Sequence, residues 1–564
     1  MINVIQRLAF KDVFPEEEPQ EIIQYLSKVS SETLLKTIGF CNTVPVPNFD
    51  NFFSNPTISA EIYDRVVAYS KKNKIKEKPQ VVSDHAALKL AELILSNKAG
   101  LIENNTNSSV DNDEINLFKA FLLINSDLND RQVLDNISED NFEQLVDYSI
   151  IFTFPTADLA IFKNNNLEFL KLIYTTIFKV EYLFDFLNSE PEFENLKLGL
   201  IESFNVVSEE EFLKQMKYLF GKLLELKQSN GYLFEVTDDE AQMFLESMVS
   251  DEVKLDEDFT HIKNNPLYKL DEKIFSIINF FFVVDKFYRS SKFKLKEVYE
   301  KDKKLVGIYG NFFNFFNKEF SENFLMKNIL DEIFDKKYFI KKPESETELP
   351  GEPDYCVRYN NDVFVFENKD VLVAKSIKAS ADIEQINNIL KTKFLSDGKK
   401  SVGIGQIVNT IVEIGNKKFR FDDYVNSKKA LTIYPILLVH DRIFQTLGIN
   451  YRLNRWFKEH ASEKLQDVQH SFTIKSLTVI DIDTLILWSP YFIKKDKNFK
   501  DVVNLHLDKM NKLKKVNTPD VAEGMYRVKR NLAEQLSPIS VRIIPYDLDI
   551  QILLDKFKDV LEDD

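Results

Sequence analysis

Glycine is scarce in this chain, with 14 in 564 residues, and cysteine and tryptophan are scarcer, at two each. So few glycines beside 48 phenylalanines argue for helices packed through long side chains over a turn-rich all-β architecture. The two cysteines, Cys41 and Cys356, cannot build a disulfide framework or a four-thiolate zinc site, and they suit a reducing compartment. The histidines, His85, His261, His440, His460, His470 and His506, show no zinc spacing and read as structural. Long apolar runs are missing as well. The most apolar stretch, Ile274 to Val284, is too short to span a bilayer and is flanked by Lys273 and Asp285. Met1 to Phe14 lacks the basic start and apolar core of a signal peptide. A soluble cytoplasmic protein with no membrane partner is therefore expected. No Gly-x-x-x-x-Gly-Lys-Ser/Thr phosphate loop occurs, so ATP hydrolysis would need a partner protein. The absence of a Gly-x-Ser-x-Gly elbow disfavours a serine hydrolase.

Basic charge is also short overall, the formal net charge being −16, which argues against a general nucleic-acid coat. The balance reverses locally. Between Lys375 and Lys429, eleven Lys/Arg face six Asp/Glu, a net +5, although a solvated helical face would give the same count. Lys286-Phe287-Tyr288-Arg289 and Tyr451-Arg452-Leu453-Asn454-Arg455-Trp456 have the basic-aromatic make-up that grips a nucleic-acid backbone. An amphipathic surface is the simpler reading of each.

What is present is apolar bulk, 44% of residues, so a packed core is affordable and global disorder is excluded. The length predicts two or three domains. From about residue 18 to 260 apolar residues recur at three- and four-residue spacing, as in Ile22, Ile23, Leu26 and Val29, and in Leu90, Leu93 and Ile94. This predicts an α-helical region over 1–265, with polar breaks at Lys71 to Pro79 and Asn104 to Asp113. A β-favouring stretch, Ile274 to Ile278, follows Pro266, and a helix is expected from about Asn314 to Asp335. Strands are then expected at Tyr338 to Lys341, Cys356 to Tyr359 and Val363 to Lys369. The last two are joined by Asn360-Asn361-Asp362, a hairpin signal. Helices from about Ala381 to Leu395 and Ile404 to Val412, and strands at Ile433 to Val439 and Leu477 to Ile482, complete an α/β sandwich over 266–500. The remainder, 501–564, holds a basic helix at Val503 to Lys515 and a strand at Val541 to Ile544.

One segment carries chemistry: Gly351-Glu352-Pro353-Asp354, then the hairpin, then Phe364-Val365-Phe366-Glu367-Asn368-Lys369. Hydrolysis of a phosphodiester needs charge stabilised on the phosphate and an activated water. Mg²⁺ suits a site of two carboxylates, a backbone carbonyl and waters. Asp354 at the start of one strand and Glu367 near the end of its neighbour can meet at one end of the sheet. Alternation sends Glu367 and Lys369 to the same face. Lys369 can then position the water, with the Asn368 carbonyl as a third metal ligand. A rim salt bridge between Glu367 and Lys369 beside a turn-forming Asp354 is the plain structural alternative. Pro519-Asp520 and Glu252 to Lys254 repeat the pieces without strand context.

The arrangement resembles the PD-(D/E)XK nuclease superfamily, which includes restriction endonucleases. The resemblance covers about residues 266 to 490 and rests on Pro353-Asp354 with Glu367-Asn368-Lys369. It implies a divergent bacterial member, with a restriction endonuclease-like α/β core behind a large helical region. Mg²⁺ or Mn²⁺ is then the implied cofactor, and DNA the usual substrate, though RNA-cleaving members exist. It also implies an acidic residue on the helix before the first core strand, where Glu322 is the candidate metal ligand and Glu319 the second. A Gln or Lys on a later helix makes Gln406 a candidate for orienting the site. His440, after the strand Tyr434 to Val439, reads as structural. The architecture is similar to effectors of anti-phage defence, with the helical region sensing a signal, binding nucleic acid, or holding a partner or second copy. The competing expectation is a non-catalytic scaffold whose nuclease-like domain is degenerate.

Overall fold

The run Val363-Phe364-Val365-Phe366 has no polar face, and a strand of that kind must be covered on both sides. In the computed structural model, Asp362–Lys369 is such a strand. The structure describes residues 7–40, 42, 46–75, 78–103, 107–131, 142–159, 166–250, 252–342, 352–428, 430–466, 468, 472–494, 498–511, 534–541 and 549–558. The chain divides into two compact units, one of 1–2, 134–158 and 303–550, the other of 3–133, 159–302 and 551–564.

In the first unit, helix α1 is Phe142–Thr153. The π-helix Phe316–Met326 runs directly into α2, Lys327–Ile333. Strands β1 (Ile340–Lys341), β2 (Tyr355–Tyr359) and β3 (Asp362–Lys369) form an antiparallel meander. Asn360 turns the β2–β3 hairpin at φ 54°, a left-handed conformation that Asn tolerates. Helices α3 (Ile383–Phe394) and α4 (Ile404–Gly415) lead to β4, Thr432–Val439. Strand β4 pairs parallel with β3 over its whole length, from Asp362↔Thr432 to Lys369↔Val439. Helix α5 (Ile449–Lys464) precedes β5 (Thr478–Asp481), which is parallel to β4. Helices α6 (Ile482–Ile493) and α7 (Phe499–Asn511) follow.

Alternation along β3 divides its side chains between two layers. Val363 and Val365 join a core with Ile386 and Leu390 of α3, Ile407 and Ile411 of α4, and Leu453 of α5. Phe364 stacks on Tyr434 at 4.6 Å, and Phe366 packs against Phe334 and Phe499. Helices thus cover a mixed sheet on both faces, as an α/β sandwich requires.

The second unit is mainly helical, with long helices at Pro56–Lys72, Asp84–Ser96, Val110–Arg131, Asn166–Ser189, Glu209–Gln228 and Phe280–Tyr299. Phe204, Phe212, Phe220 and Phe244 surround Phe287 in its core. Among the described residues no helix is long and apolar enough to cross a membrane.

Two boundaries differ from the sequence reading. The β-favouring stretch after Pro266 becomes Leu267–Asp271 and Ile274–Ile277, and Ile274–Ile277 lies between Leu267–Asp271 and Leu233–Glu235 in a small antiparallel sheet of the helical unit. Conversely, α1 lies within 1–265, yet its Val146 and Ile150, with Phe154 just beyond, are fully buried in the core of the sheet-bearing unit. Local pattern shows what an element is, not which sheet or core will take it. Gly351, the Glu-rich stretch before it, Pro519-Asp520 and residues 512–515 of the expected basic helix lie outside the described residues. Of the strand expected at Val541 to Ile544, only Val541 is described, and it closes the 3-10 turn Ile539–Val541.

Candidate active site

The hairpin register puts Tyr355 opposite Phe366, so Asp354, one residue earlier, meets the end of β3. Its Oδ2 accepts a hydrogen bond from the Asn368 backbone N–H at 2.7 Å. Lys369 Nζ stands 3.4 Å from Glu367 Oε2 and 3.8 Å from Asp354 Oδ2. The Asp354, Glu367 and Lys369 side chains keep 12%, 0% and 16% of their exposure. The three expected residues therefore share one place, at the carboxyl end of a strand central to the sheet.

Burial pushes the Glu367 carboxyl well above the usual carboxylate range, and the neighbouring Asp354 charge pushes it further, while Lys369 offsets part of this. No donor among the described residues reaches Glu367 Oε1. Burial works against the Lys369 ammonium, but Asp354 and Glu367 outweigh it and hold it above the ordinary lysine range. A fully buried carboxyl pushed above its usual range, beside a lysine whose charge its acidic neighbours favour, is costly as mere packing.

Glu322 lies on the π-helix, close enough for its charge to be felt by both Glu367 and Lys369. The neighbouring Ser321 hydroxyl donates to Asp370 Oδ2 at 2.7 Å, in a buried contact that ties this helix to the end of β3. π-Helical turns are rare and concentrate at functional sites. Glu319, the second candidate, accepts from Asn323 one turn on. Gln406 has a local task, since its Oε1 accepts from the Gly403 N–H at 2.9 Å and closes the start of α4. Its carboxamide oxygen is thus committed to helix capping. His440 Nε2 is 2.8 Å from the Asn368 side-chain oxygen, so it braces the residue between Glu367 and Lys369. Asp370 was missed in the sequence, because an acid after Glu-x-Lys looks like a strand-end charge until the helix above it is placed.

Among the described residues no group of three or more His, Cys, Asp or Glu is arranged to hold a metal. A divalent cation would draw on the Asp354 and Glu367 carboxylates, the Asn368 carbonyl and waters. That donor set is hard and oxygen-only, as Mg²⁺ and Mn²⁺ accept, and the undonated Glu367 Oε1 is the atom a cation would satisfy. Glu322, the candidate third ligand, is near enough for its charge to act on Glu367 and Lys369. No family model and no curated protein matches this chain.

Residues of both basic-aromatic stretches pair within the protein. Lys286 is buried and donates to the Ser247 and Asn264 carbonyls, with its ammonium pulled down to about 7 by burial. Tyr451 donates to Glu143, and Arg452 and Arg455 pair with Asp147 and Glu143. From the locally basic segment, Lys378 is buried against Asp158 at 2.5 Å. A cavity of about 570 Å³ lined by Phe334, Tyr359, Phe364 and Phe499 lies toward the opposite end of β3 and includes none of the candidate residues.

Proposed function

We propose that this protein is a metal-dependent nuclease that hydrolyses phosphodiester bonds, with DNA as its substrate. The observation that carries the reading is the convergence of Asp354, Glu367 and Lys369 at one strand end, with a fully buried Glu367 and a lysine held charged beside it. Support comes also from the order of elements around the site. A helix, an antiparallel three-strand meander, helices and a parallel fourth strand resemble the restriction endonuclease-like core of the PD-(D/E)XK superfamily.

The cation, when bound, supplies charge stabilisation on the phosphate and makes water a better nucleophile. Asp354 and Glu367 would hold it, with the Asn368 carbonyl as a neutral donor. The Lys369 ammonium orients the attacking water by hydrogen bonding and offsets the negative charge that grows on the phosphate oxygens. As the new P–O bond forms, the attacking water gives up a proton to solvent, the bridging P–O bond breaks and the leaving oxygen takes a proton from solvent.

The scaffold reading draws on the lack of a third metal-holding side chain among the described residues and on the charge of −16. Incubation of plasmid, single-stranded DNA and RNA with Mg²⁺ or Mn²⁺ decides between the two. Cutting by the wild type should fall about a hundredfold or more in Asp354→Asn and in Lys369→Met, the scale on which losing one preorganised charge slows such reactions. Cutting that survives both variants would mean the wrong residues. Silence from every form, with no cation-induced rise in melting temperature, would favour the scaffold.

A further inference from the structure

Asp354 sits on a bend at the start of β2, where its carboxylate must hold position within a fraction of an ångström for the site to work. The Asn368 N–H fixes one carboxylate oxygen, but nothing in that contact fixes the backbone that carries it. Lys342 does. It follows β1, with its own N–H bonded to the Cys356 carbonyl at 2.9 Å, and its side chain reaches under the bend. The ammonium donates to the Pro353 carbonyl at 2.6 Å, the Glu352 carboxylate at 3.0 Å and the Asp354 carbonyl at 3.5 Å. The Lys342 and Glu352 side chains are 15% and 10% exposed.

An ammonium has three donors and no more, and three acceptors here use them all. Lys342 is therefore not a spare cation waiting for a phosphate, although it is a lysine close to the catalytic aspartate. From this geometry we infer that Lys342 is a positioning residue, which sets the Asp354 carboxylate for cation binding by clamping the Pro353-Asp354 backbone to the edge of the sheet. This rests on the nuclease reading of the site. The carbonyl contacts carry the effect and the Glu352 ion pair is secondary, because two of the three bonds end on the backbone of the residues that aim Asp354. Partners of this kind, one step behind the ligands, typically alter metal affinity or activity about 10–100-fold when removed.

The test is Mn²⁺ binding to the full chain by calorimetry, alongside cleavage rates, for wild type, Lys342→Met, Lys342→Arg, Glu352→Gln and Asp354→Asn. Lys342→Met should weaken Mn²⁺ about 10–100-fold and lower kcat while KM for the nucleic acid stays put. Lys342→Arg should recover much of the loss, because guanidinium N–H groups still reach carbonyls. Glu352→Gln should stay near wild type, since it keeps the carbonyl contacts. Wild-type Mn²⁺ affinity in Lys342→Met overturns the inference. So does a loss in Glu352→Gln as large as that in Lys342→Met, which would assign the effect to the ion pair. If Asp354→Asn leaves Mn²⁺ binding unchanged, the nuclease reading itself fails, and the role given to Lys342 falls with it. An intact Asp354 dependence with an indifferent Lys342 sinks the inference alone.

Discussion

At the scale of single residues, Glu367 carries the tension of the site. The unfolded chain ionises a glutamate near pH 4.3, whereas burial and the Asp354 charge keep Glu367 protonated to higher pH in the fold. Between those two values the unfolded state binds fewer protons, so stability falls as pH rises through that window. Glu367→Gln removes the ionisable group and keeps the shape, and Lys369 still has Asp354 at 3.8 Å. Without added cation at pH 8 this variant should melt about 2–4 °C above wild type for each kcal/mol relieved, and its advantage should vanish by pH 4. Mn²⁺ should raise the wild-type melting temperature and leave Glu367→Gln unmoved, as expected for a ligand that binds only the native state. Scanning calorimetry at the two pH values checks this, and a lower melting temperature for Glu367→Gln at pH 8 would contradict the account. The cluster itself was legible because strand alternation alone puts Glu367 and Lys369 on one face. Its support was not: Lys342 reads as one more strand-end charge until the Pro353 carbonyl it reaches is in place, and Gln406 as a free amide until the Gly403 N–H is.

At the scale of elements, the site depends on a turn at the other end of the same strand. Register along the β2–β3 hairpin is set by Asn360, which holds φ 54°, and a slip of one residue would send Glu367 and Lys369 to the opposite face. The polar trio Asn360-Asn361-Asp362 made that turn readable from sequence, since the left-handed conformation costs an ordinary residue about 1–2 kcal/mol. Asn360→Val should therefore lose roughly that much stability, and Asn360→Gly should match or exceed wild type. Urea denaturation measures both, and equal stabilities for Val and Gly would remove the turn from the argument. The helix from Asn314 was expected too, but its π-helical stretch was not. Phe316, Phe320 and Phe324 recur at a spacing that suits an α-helix equally. The pitch goes with contacts such as that of Ser321 with Asp370, which no local pattern encodes.

At the scale of the whole chain, what the sequence concealed is where the sheet-bearing unit begins. Composition shifts near Pro266 because the strands there differ from the helices before them, yet those strands serve the other unit. Helix α1 and the residues just after it belong with the site, more than a hundred residues from the sheet they complete. Gly448, at φ 92°, opens α5 where a Cβ would come within 3.2 Å of Val146, so the two elements meet at close range. A fragment cut at the apparent boundary, residues 266–564, would lose Val146, Ile150 and Phe154, all fully buried. Losses of roughly 2–5 kcal/mol for each such side chain rival the 5–15 kcal/mol or so that stabilises a typical domain. Lys378 would also be left buried without Asp158, its 2.5 Å partner, a loss of about 3–5 kcal/mol. The fragment should therefore lack a cooperative melting transition and a response to Mn²⁺, while full-length Lys378→Met should fold with reduced stability and keep its cation response. Circular dichroism melts of the two with and without Mn²⁺ distinguish these outcomes. A fragment that melts cooperatively and binds Mn²⁺ as the full chain does would mean that α1 decorates the core and does not complete it.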